Sequence, residues 1–325
     1  MKQFLIIQTA FIGDVILATP LIEKLSQYYP HAKIDFILRD GNQDLLGNNP
    51  HLNQVYILDK NSRKYFHVLQ MIGKLRGTHY DYLINLQRFF TTGVISLFAR
   101  SRHKAGFDKN PLSFAYDYKV HHEIGDGRHE IARNMELIAP IADSVFVKPR
   151  LYPSGEDYKK VRQYQEKKYL NIAPASVWYT KQFPKEKWIA LLGKLNEQYD
   201  IHLIGGPEDY ELCEQIIRES GRKRVYNLSG KLNFLETAAL MEGARMNYVN
   251  DSAPLHIASA MNAPATAVFC STIPEFGFYP VSDQSRIVET DIDLNCRPCG
   301  LHGLRACPEG HFKCAKTIDI NKLLI

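Results

Sequence analysis

Long hydrophobic runs are missing from this sequence of 325 residues. Its apolar stretches, such as residues 266–270, are much shorter than the roughly 20 residues that a membrane-spanning helix needs, so no membrane-spanning segment is predicted. The segment 1–8 is one short apolar run, without the longer hydrophobic region and small-residue cleavage site of a signal peptide. We therefore expect a cytoplasmic protein. A hydrophobic content of 45% with 23% charged residues predicts a globular rather than a disordered chain.

A compact run of Lys and Arg with interleaved aromatic residues is also absent, which argues against a nucleic-acid partner. The net charge of +5 is nevertheless uneven: residues 1–150 hold 19 Lys and Arg against 14 Asp and Glu, whereas residues 151–325 hold 21 of each. This difference is either ordinary surface variation or the sign of an N-terminal half that meets an anionic partner. A phosphorylated glycolipid or an acidic membrane face fits that second reading better than nucleic acid does.

Cysteine is scarce outside one segment near the C-terminus. Four of the six cysteines, Cys296, Cys299, Cys307 and Cys314, lie within 19 residues. Such clustering in a cytoplasmic protein more often indicates a metal site than disulfides. The spacing permits a tetrahedral zinc site made of cysteine alone or of cysteine and histidine. Structural zinc, free or redox-variable thiols, and disulfides are the three alternatives.

Short apolar runs alternate with amphipathic stretches, and this alternation restarts after residue 150. It predicts two sets of βαβ units, each built on a parallel sheet. The predicted strands are residues 4–9, 34–38, 55–58, 82–86, 170–173, 201–204, 246–249 and 265–269. The predicted helices are residues 15–29, 65–75, 185–198, 210–220, 235–243 and 255–261.

The predicted fold class is therefore α/β, with two Rossmann-like, doubly wound parallel-sheet lobes. The polar stretch 152–156, which contains a proline and a glycine, is the predicted linker, so the lobes are expected at 1–153 and 154–325. Ligands of such sheets bind beyond the carboxyl ends of the strands. We expect those ends to face each other across a cleft.

The first junction between a strand and a helix contains Gly13 and Asp14. Gly13 allows the backbone to approach a ligand closely. Asp14 falls in the first turn of the predicted helix, where a carboxylate is favourable simply as a cap. The functional alternative is a general base that removes a proton from an acceptor hydroxyl.

Two junctions of the second lobe carry polar side chains suited to a nucleotide. Ser176 and Lys181 follow its first predicted strand and suit a phosphate, unless Lys181 is only a solvated lysine before a helix. Glu208 follows the next strand and a Gly-Gly pair. A carboxylate there suits ribose hydroxyls or, more simply, caps a helix.

A further junction runs from an apolar strand into Asp251 and Ser252 and then into a helix of small residues. Backbone N–H groups at that helix start suit a pyrophosphate, and Asp251 suits sugar hydroxyls. His256, one turn into the helix, is either a phosphate ligand or a core histidine.

Three motifs occur in this order: Thr-Ala-Phe-Ile-Gly-Asp-Val, Lys-Gln-Phe-Pro and Asn-Asp-Ser-Ala-Pro-Leu-His-Ile-Ala-Ser-Ala. Together they resemble the ADP-heptose:lipopolysaccharide heptosyltransferase family, glycosyltransferase family 9, over nearly the whole chain. The resemblance implies a GT-B fold and an inverting transfer of heptose from ADP-heptose to the lipopolysaccharide inner core. It implies no metal and no cofactor for catalysis.

The resemblance also assigns roles to residues. It implies that Asp14 is the catalytic base and that Gly13, Arg128 and Arg133 lie on the acceptor side, although the two arginines suit surface helix charges equally well. The residues implied on the donor side are Ser176 and Lys181 at the phosphates, Glu208 near the ribose, and Asp251, Ser252 and His256 in the donor-binding turn. Ala253 and Pro254 depart from the glycine that members often have there, so fewer amides are expected to face the phosphates.

The acceptor implied by the family is a lipid-anchored, anionic glycolipid. Transient contact with the cytoplasmic face of the inner membrane, through the basic N-terminal half, is therefore expected. Two other functions remain open: a GT-B nucleotide-sugar enzyme of another kind, with a different donor or epimerase activity, and a non-catalytic protein that binds a sugar nucleotide.

Overall fold

The computed structural model describes residues 1–60 and 63–324. The chain divides into two compact units. The first contains Met1–Ile124 and Arg128–Tyr152, and the second contains Gly125–Gly127 and the chain from Pro153 onward. The predicted boundary after residue 153 lies one residue from this division. Residues 61, 62 and 325, which the predicted lobes include, lie outside the described residues.

Within its described residues, the first unit is built on one parallel sheet of six strands in the order β3-β2-β1-β4-β5-β6. The strands are β1 (Gln3–Ile7), β2 (Lys33–Arg39), β3 (Leu52–Leu58), β4 (Tyr80–Asn85), β5 (Ser101–Phe107) and β6 (Tyr118–Val120). Its helices are α1 (Ile12–Tyr28), α2 (Lys64–Leu75), α3 (Phe90–Phe98) and α4 (Glu130–Glu136).

The second unit repeats this arrangement over its described residues, with the order β12-β11-β10-β7-β8-β9. Its strands are β7 (Tyr169–Ala173), β8 (Asp200–Leu203), β9 (Val225–Asn227), β10 (Asn247–Asn250), β11 (Ala265–Phe269) and β12 (Ser285–Glu289). The helices are α5 (Gly155–Val161), α6 (Lys185–Leu192), α7 (Tyr210–Ser220), α8 (Phe234–Glu242), α9 (Ala253–Ala260) and α10 (Lys313–Lys316).

Both sheets follow the Rossmann strand order, and every pairing between neighbouring strands is parallel. The predicted α/β fold with two doubly wound sheets is thus confirmed. The expected cleft stays a prediction. Among the described helices, none has both the length and the hydropathy that crossing a bilayer requires.

The predicted elements all have counterparts in the structure, with one clear error of length. The helix predicted at 185–198 ends at Leu192, where Gly193 forms its C-cap. Glycine is a poor helix former, and Leu195, the one apolar residue of the predicted segment beyond it, does not extend the helix. The strands β5, β6, β9 and β12 were not predicted. Two of these, β6 and β9, have only three residues each, and β5 is polar over its first four positions.

The sheet order determines where each unit presents functional groups. In the first unit the chain moves outward from β1 to β3 and then crosses to β4, on the other side of β1. In the second unit the corresponding pair is β7 and β10. The loops that follow the two strands of such a pair run in opposite directions and leave a crevice at the carboxyl edge, where ligands of doubly wound sheets bind.

Asn250, the last residue of β10, closes this crevice from below in the second unit. Its side chain is fully buried, and its amide nitrogen lies 2.9 Å from the Pro174 oxygen and 3.3 Å from the Ala173 oxygen. Its Oδ1 accepts a hydrogen bond from the N–H of Phe183 at 2.9 Å. One amide therefore holds both ends of the loop that follows β7.

Replacing this amide should destabilise the second unit. We expect Asn250→Ala to lower its free energy of unfolding by about 3 kcal/mol, because buried carbonyl and N–H groups lose their partner. Asn250→Asp should cost at least as much, since a carboxylate would face carbonyl oxygens. Both tryptophans, Trp178 and Trp188, lie in this unit, so urea unfolding followed by fluorescence reports on it directly.

The control is Asn321→Ala, at an exposed position whose side chain donates a hydrogen bond to nearby Asp319. It should change the free energy of unfolding by less than about 0.5 kcal/mol. Equal midpoints for Asn250→Ala and wild type would show that the Asn250 amide does not hold the loop.

Candidate functional site

An ion pair between Lys181 and Asp251 lies at the carboxyl edge of the second sheet. Lys181 Nζ lies 2.8 Å from Asp251 Oδ2, and the side chains are only 15% and 6% exposed. The hydroxyl of Thr272 donates a second hydrogen bond, of 2.6 Å, to the same carboxylate oxygen. The pair joins the loop after β7 to the residue that follows β10. These two strands are neighbours at the place where the strand order changes direction, the switch point of this sheet.

The loop after β7 brings Lys181 to this position. It ends in a short 3₁₀ turn, Tyr179–Lys181, directly before the strand-like residues that lead into α6. The side chain of Gln182 donates a 2.6 Å hydrogen bond to the carbonyl of Ser176 across the loop. Ser176 is half-buried near the start of the same loop, and a phosphate contact through its hydroxyl stays a prediction.

The start of α9 lies next to Asp251. Ser252 is the N-cap residue in an extended conformation, and Pro254 lies in the first turn, where its missing N–H breaks no helical hydrogen bond. His256 is buried, with its ring 6.5 Å from the ring of Phe278 in an edge-to-face arrangement. The helix start therefore presents the Ser252 hydroxyl and backbone amides, while His256 lies inside the unit.

Glu208 lies at the end of the neighbouring strand β8, in the 3₁₀ turn Pro207–Asp209. Its carboxylate folds back over Gly206, where a Cβ atom would come within 2.5 Å of Glu208 Oε2. Asp209, and not Glu208, accepts the backbone N–H of Gly206, at 2.8 Å. Glu208 is exposed, and the helix-capping task that the sequence left open for it belongs to Asp209.

In the first unit, Asp14 lies in the first turn of α1, directly after β1. Its Oδ2 accepts the backbone N–H of Phe11 at 3.2 Å, and Gly13 precedes it as the second residue of the helix. The pKa of Asp14 is raised to about 6, chiefly by burial and also by the carboxylate of Glu130, against the lowering effects of nearby N–H groups and Arg88. A carboxylate with this pKa is a stronger proton acceptor than an ordinary aspartate.

Glu130, the first residue of α4, is itself held in its charged form. Arg133 Nε lies 2.8 Å and His122 Nε2 lies 3.6 Å from Glu130 Oε2. Burial alone would raise the pKa of Glu130, but the hydrogen bond to His122 and the charge of Arg133 bring it below the ordinary value. The negative charge that acts on Asp14 is thus present across the neutral pH range.

The predicted acceptor contact through Arg133 does not fit the structure. Arg133 is fully buried, and its guanidinium bonds to Glu130 and, at 2.5 Å, to the carbonyl of Arg128. Its positive charge pairs with Glu130 inside the unit. Arg128 is different: its side chain is 39% exposed and pairs with Glu136 at 2.6 Å, so an acceptor contact through Arg128 stays a prediction.

Three residues that the sequence analysis did not single out belong to these clusters: Thr272, Glu130 and Arg88. Thr272 lies shortly after the end of β11, and Asp251 lies directly after the end of β10. A polar residue soon after an apolar strand could therefore have identified Thr272 from the sequence. Glu130 precedes Arg133 by three residues, a spacing at which opposite charges pair on a helix. No comparable local pattern identifies Arg88.

The four C-terminal cysteines lie close enough for their thiols to affect one another's pKa. The pKa of the Cys314 thiol is raised to about 11, chiefly by burial and also by Cys299 and Cys307. Cys296 Sγ lies 3.9 Å from Nε2 of His311. All six cysteines carry free thiols. Among the described residues, no three His, Cys, Asp or Glu side chains form a group fit for a metal ion, so zinc binding stays a prediction.

Each unit thus offers a different chemistry at its own switch point. The first offers a carboxylate that accepts a proton near neutral pH. The second offers a lysine, a serine hydroxyl and the start of α9 for an anionic ligand, beside a carboxylate that can accept sugar hydroxyls.

The chain is similar in sequence and in fold to known glycosyltransferases. The chain is 29% identical over 280 residues to lipopolysaccharide heptosyltransferase 3 of Escherichia coli, covering 80% of each protein. A solved glycosyltransferase family 9 protein from Veillonella parvula covers 97% of this chain and 96% of its own, with a TM-score of 0.81 and 19% identity. The E. coli heptosyltransferase WaaC, solved with ADP, covers 99% and 97%, with a TM-score of 0.76 and 19% identity.

A sequence model of glycosyltransferase family 9, described as heptosyltransferase, matches residues 68–303 of the chain. That range contains both Lys181 and Asp251. The chain belongs to glycosyltransferase family 9 and is a glycosyltransferase of the heptosyltransferase type.

Proposed function

We propose that this protein transfers heptose from ADP-heptose to the lipopolysaccharide inner core with inversion at the anomeric carbon, and that Asp14 is the general base. The observation that carries the proposal is the position of Asp14 in the first turn of α1, at the switch point of the first sheet, together with a pKa raised to about 6. A helix cap alone would gain from an ordinary, fully ionised aspartate. A base gains from a pKa close to the working pH.

The reaction proceeds in one displacement. An acceptor hydroxyl oxygen forms the new bond to the anomeric carbon while the bond from that carbon to the β-phosphate oxygen breaks. The hydroxyl proton passes to the Asp14 carboxylate, and ADP leaves with the bonding electron pair. Charge develops on the leaving diphosphate, so groups that stabilise it there lower the barrier.

The second unit supplies those groups. The ammonium of Lys181 has three protons, so it can keep its hydrogen bond to Asp251 and still donate to a phosphate oxygen. Ser176, Ser252 and the first amides of α9 add neutral donors. His256, one turn into the same helix and about as buried as Asp251, is assigned to the donor phosphates as well. In this scheme the cation at the leaving group is a lysine, and no metal ion is needed.

Asp251 and Glu208 supply acceptors for the rest of the donor. The Asp251 carboxylate already accepts Lys181 and Thr272 on one oxygen, which leaves its other oxygen for a sugar hydroxyl. Glu208, exposed at the end of β8, suits the ribose hydroxyls.

We assign the acceptor to the first unit because of the charge of the N-terminal half. The first half of the chain carries the whole net charge of +5, which suits an anionic, lipid-anchored glycolipid. Arg128 is the exposed cation that we assign to it, and Gly13 leaves room beside Asp14. A cytoplasmic location with transient contact at the inner membrane follows from such an acceptor and is part of the same proposal.

The donor class is tested by a thermal-shift screen of nucleotide sugars. An ADP-linked heptose at about 100 times its dissociation constant should raise the Tm by several degrees, because a ligand at that excess adds about 2.7 kcal/mol of stability. UDP- and GDP-linked sugars should give no shift. Lys181→Ala should weaken binding and so reduce the shift at the same ligand concentration, whereas Lys194→Ala, at an exposed position on the same unit, should keep it. Stabilisation by a UDP- or GDP-sugar instead would overturn the assigned donor.

The role of Asp14 is tested by the pH dependence of transfer. We expect kcat/KM to fall as the pH drops below about 6, where Asp14 becomes protonated. Asp14→Asn should lower kcat by about 10²- to 10⁴-fold without changing donor binding. Glu130→Gln removes a charge that raises the pKa of Asp14. The fall of kcat/KM at acidic pH, the acid limb of the pH profile, should therefore move to lower pH. The control Glu123→Gln, at an exposed position, should leave the limb in place.

Two results would count against this assignment. Full transfer by Asp14→Asn would show that Asp14 is only a cap. Release of free sugar or of an epimer in the absence of acceptor would favour a different nucleotide-sugar enzyme.

The same raised pKa predicts that Asp14 costs stability at neutral pH. A carboxyl whose pKa is higher in the folded than in the unfolded state binds its proton more tightly when folded, so folding is favoured at low pH and weakened as the pH rises through about 6. Asp14→Asn should therefore raise the Tm by about 2–4 °C at pH 8. Calorimetry should show this gain shrinking as the pH falls from 6 towards 4. A variant less stable than wild type at pH 8 would contradict the burial of this charge.

A further inference from the structure

Residues 297–304, inside the cysteine-rich part of the chain, pack directly on the residue that precedes Lys181. Thr180 is 1% exposed. Its Oγ1 accepts the N–H of Leu304 at 2.7 Å, and its own N–H donates to the carbonyl of Leu304 at 3.1 Å. Ser271 Oγ adds a hydrogen bond of 2.9 Å to the same threonine hydroxyl. Thr180 therefore has three hydrogen bonds to parts of the chain far away in sequence.

Gly303 packs against the side chain of Lys181 itself. A Cβ atom at this position would lie 2.9 Å from Lys181 Cγ and 3.0 Å from Thr180 Oγ1. Its φ of +76° is also one that side-chain-bearing residues rarely adopt. The glycine thus packs along the aliphatic part of the lysine side chain. Any larger residue at position 303 would displace either the lysine or residues 297–304.

The same segment holds the other partner of the ion pair. Arg297 donates a 2.8 Å hydrogen bond to the carbonyl of Thr272, whose hydroxyl bonds to Asp251. The N–H of Cys299 donates to the carbonyl of Ser271 at 2.9 Å. Arg297 is fixed in turn by an ion pair of 2.5 Å with Glu289, at the end of β12.

We propose that the 297–304 segment sets the position of the Lys181–Asp251 pair and so determines how tightly the second unit binds a diphosphate. Thr180 and Gly303 are then positioning residues, which act through Lys181 and do not touch the ligand. This inference rests on the proposed function, because it takes a nucleoside diphosphate as the ligand of Lys181.

The physical reason is the length of the lysine side chain. Four rotatable carbon–carbon bonds let a free ammonium sample many positions, and fixing it on binding costs entropy. A side chain whose stem already packs against Gly303, and whose backbone is fixed through Thr180, has lost that freedom before the ligand arrives. Preorganisation of this kind appears as affinity for the ligand.

The test is direct binding of ADP, and separately of inorganic pyrophosphate, to the full-length protein by calorimetry. Thr180→Val keeps the shape but leaves the Leu304 N–H and the Ser271 hydroxyl without their acceptor, and should weaken ADP binding about tenfold. Thr180→Ser restores the hydroxyl and should bind within about threefold of wild type. In transfer assays, Thr180→Val should raise the donor KM more than it lowers kcat.

The glycine is tested with a matched control. Gly303→Ala should weaken ADP binding at least about tenfold, because the added methyl group meets Lys181. Gly310 has nearly the same backbone conformation, with a φ of +68°, but a Cβ there meets no atom within 4 Å. Gly310→Ala carries the same backbone strain without the contact, so its ADP affinity should match that of wild type.

A double-mutant cycle separates positioning from general damage to the unit. If Thr180 acts through Lys181, Thr180→Val should have little further effect on ADP affinity once Lys181→Ala is present. Equal losses in both backgrounds would overturn the proposal, as would wild-type ADP affinity in folded Thr180→Val and Gly303→Ala. If wild type binds neither ADP nor pyrophosphate, the proposed function fails and this inference fails with it. Binding by wild type with unaltered variants refutes the inference alone.

Discussion

The buried ion pair between Lys181 and Asp251 is the interaction on which the second unit's site depends. Two charges removed from water are stable only when their geometry is good and their remaining hydrogen-bonding positions are satisfied. Thr272 donates a second hydrogen bond to Asp251, and Asn250 fixes the loop that carries Lys181. The negative charge of Asp251 offsets the positive charge of Lys181 before a ligand binds, which weakens the attraction between the lysine and a phosphate. In return, the ion pair fixes the position of the ammonium group.

The strand order explains why these groups meet at all. In each unit the first strand, β1 or β7, lies next to the fourth, and their following loops diverge at the carboxyl edge. Asp14 follows β1, and Lys181 lies in the loop after β7, so the two residues occupy equivalent places in two copies of one topology. The units differ in what that place holds: a carboxyl with a raised pKa in one, and a cation paired with a carboxylate in the other.

The sequence predicted the elements whose signal is local. Strands of apolar residues such as β1 and β11, and the polar residues that follow them, were identified with small errors in their ends. The strand β5 was missed because its first half carries an arginine, a histidine and a lysine and only its last three residues are buried. Arg133 was misplaced for a related reason: an arginine on a short helix suggests a surface, and only the fold shows that it is buried and paired with Glu130. Contacts such as Thr180 with Leu304 join residues 124 positions apart and leave no local pattern.

The basicity of Asp14 depends on Glu130, which lowers its acidity directly, and on Arg133, which acts on Glu130. Burial is the larger cause of its raised pKa, yet burial alone would also raise the pKa of Glu130 and weaken the charge that acts on Asp14. His122 and Arg133 prevent this by stabilising the ionised form of Glu130. An arginine that never touches a ligand therefore keeps a second carboxylate charged, and that carboxylate raises the proton affinity of the first. Loss of Arg133 would not only destabilise the helix; it would also make Asp14 less basic, because Glu130 would itself become easier to protonate.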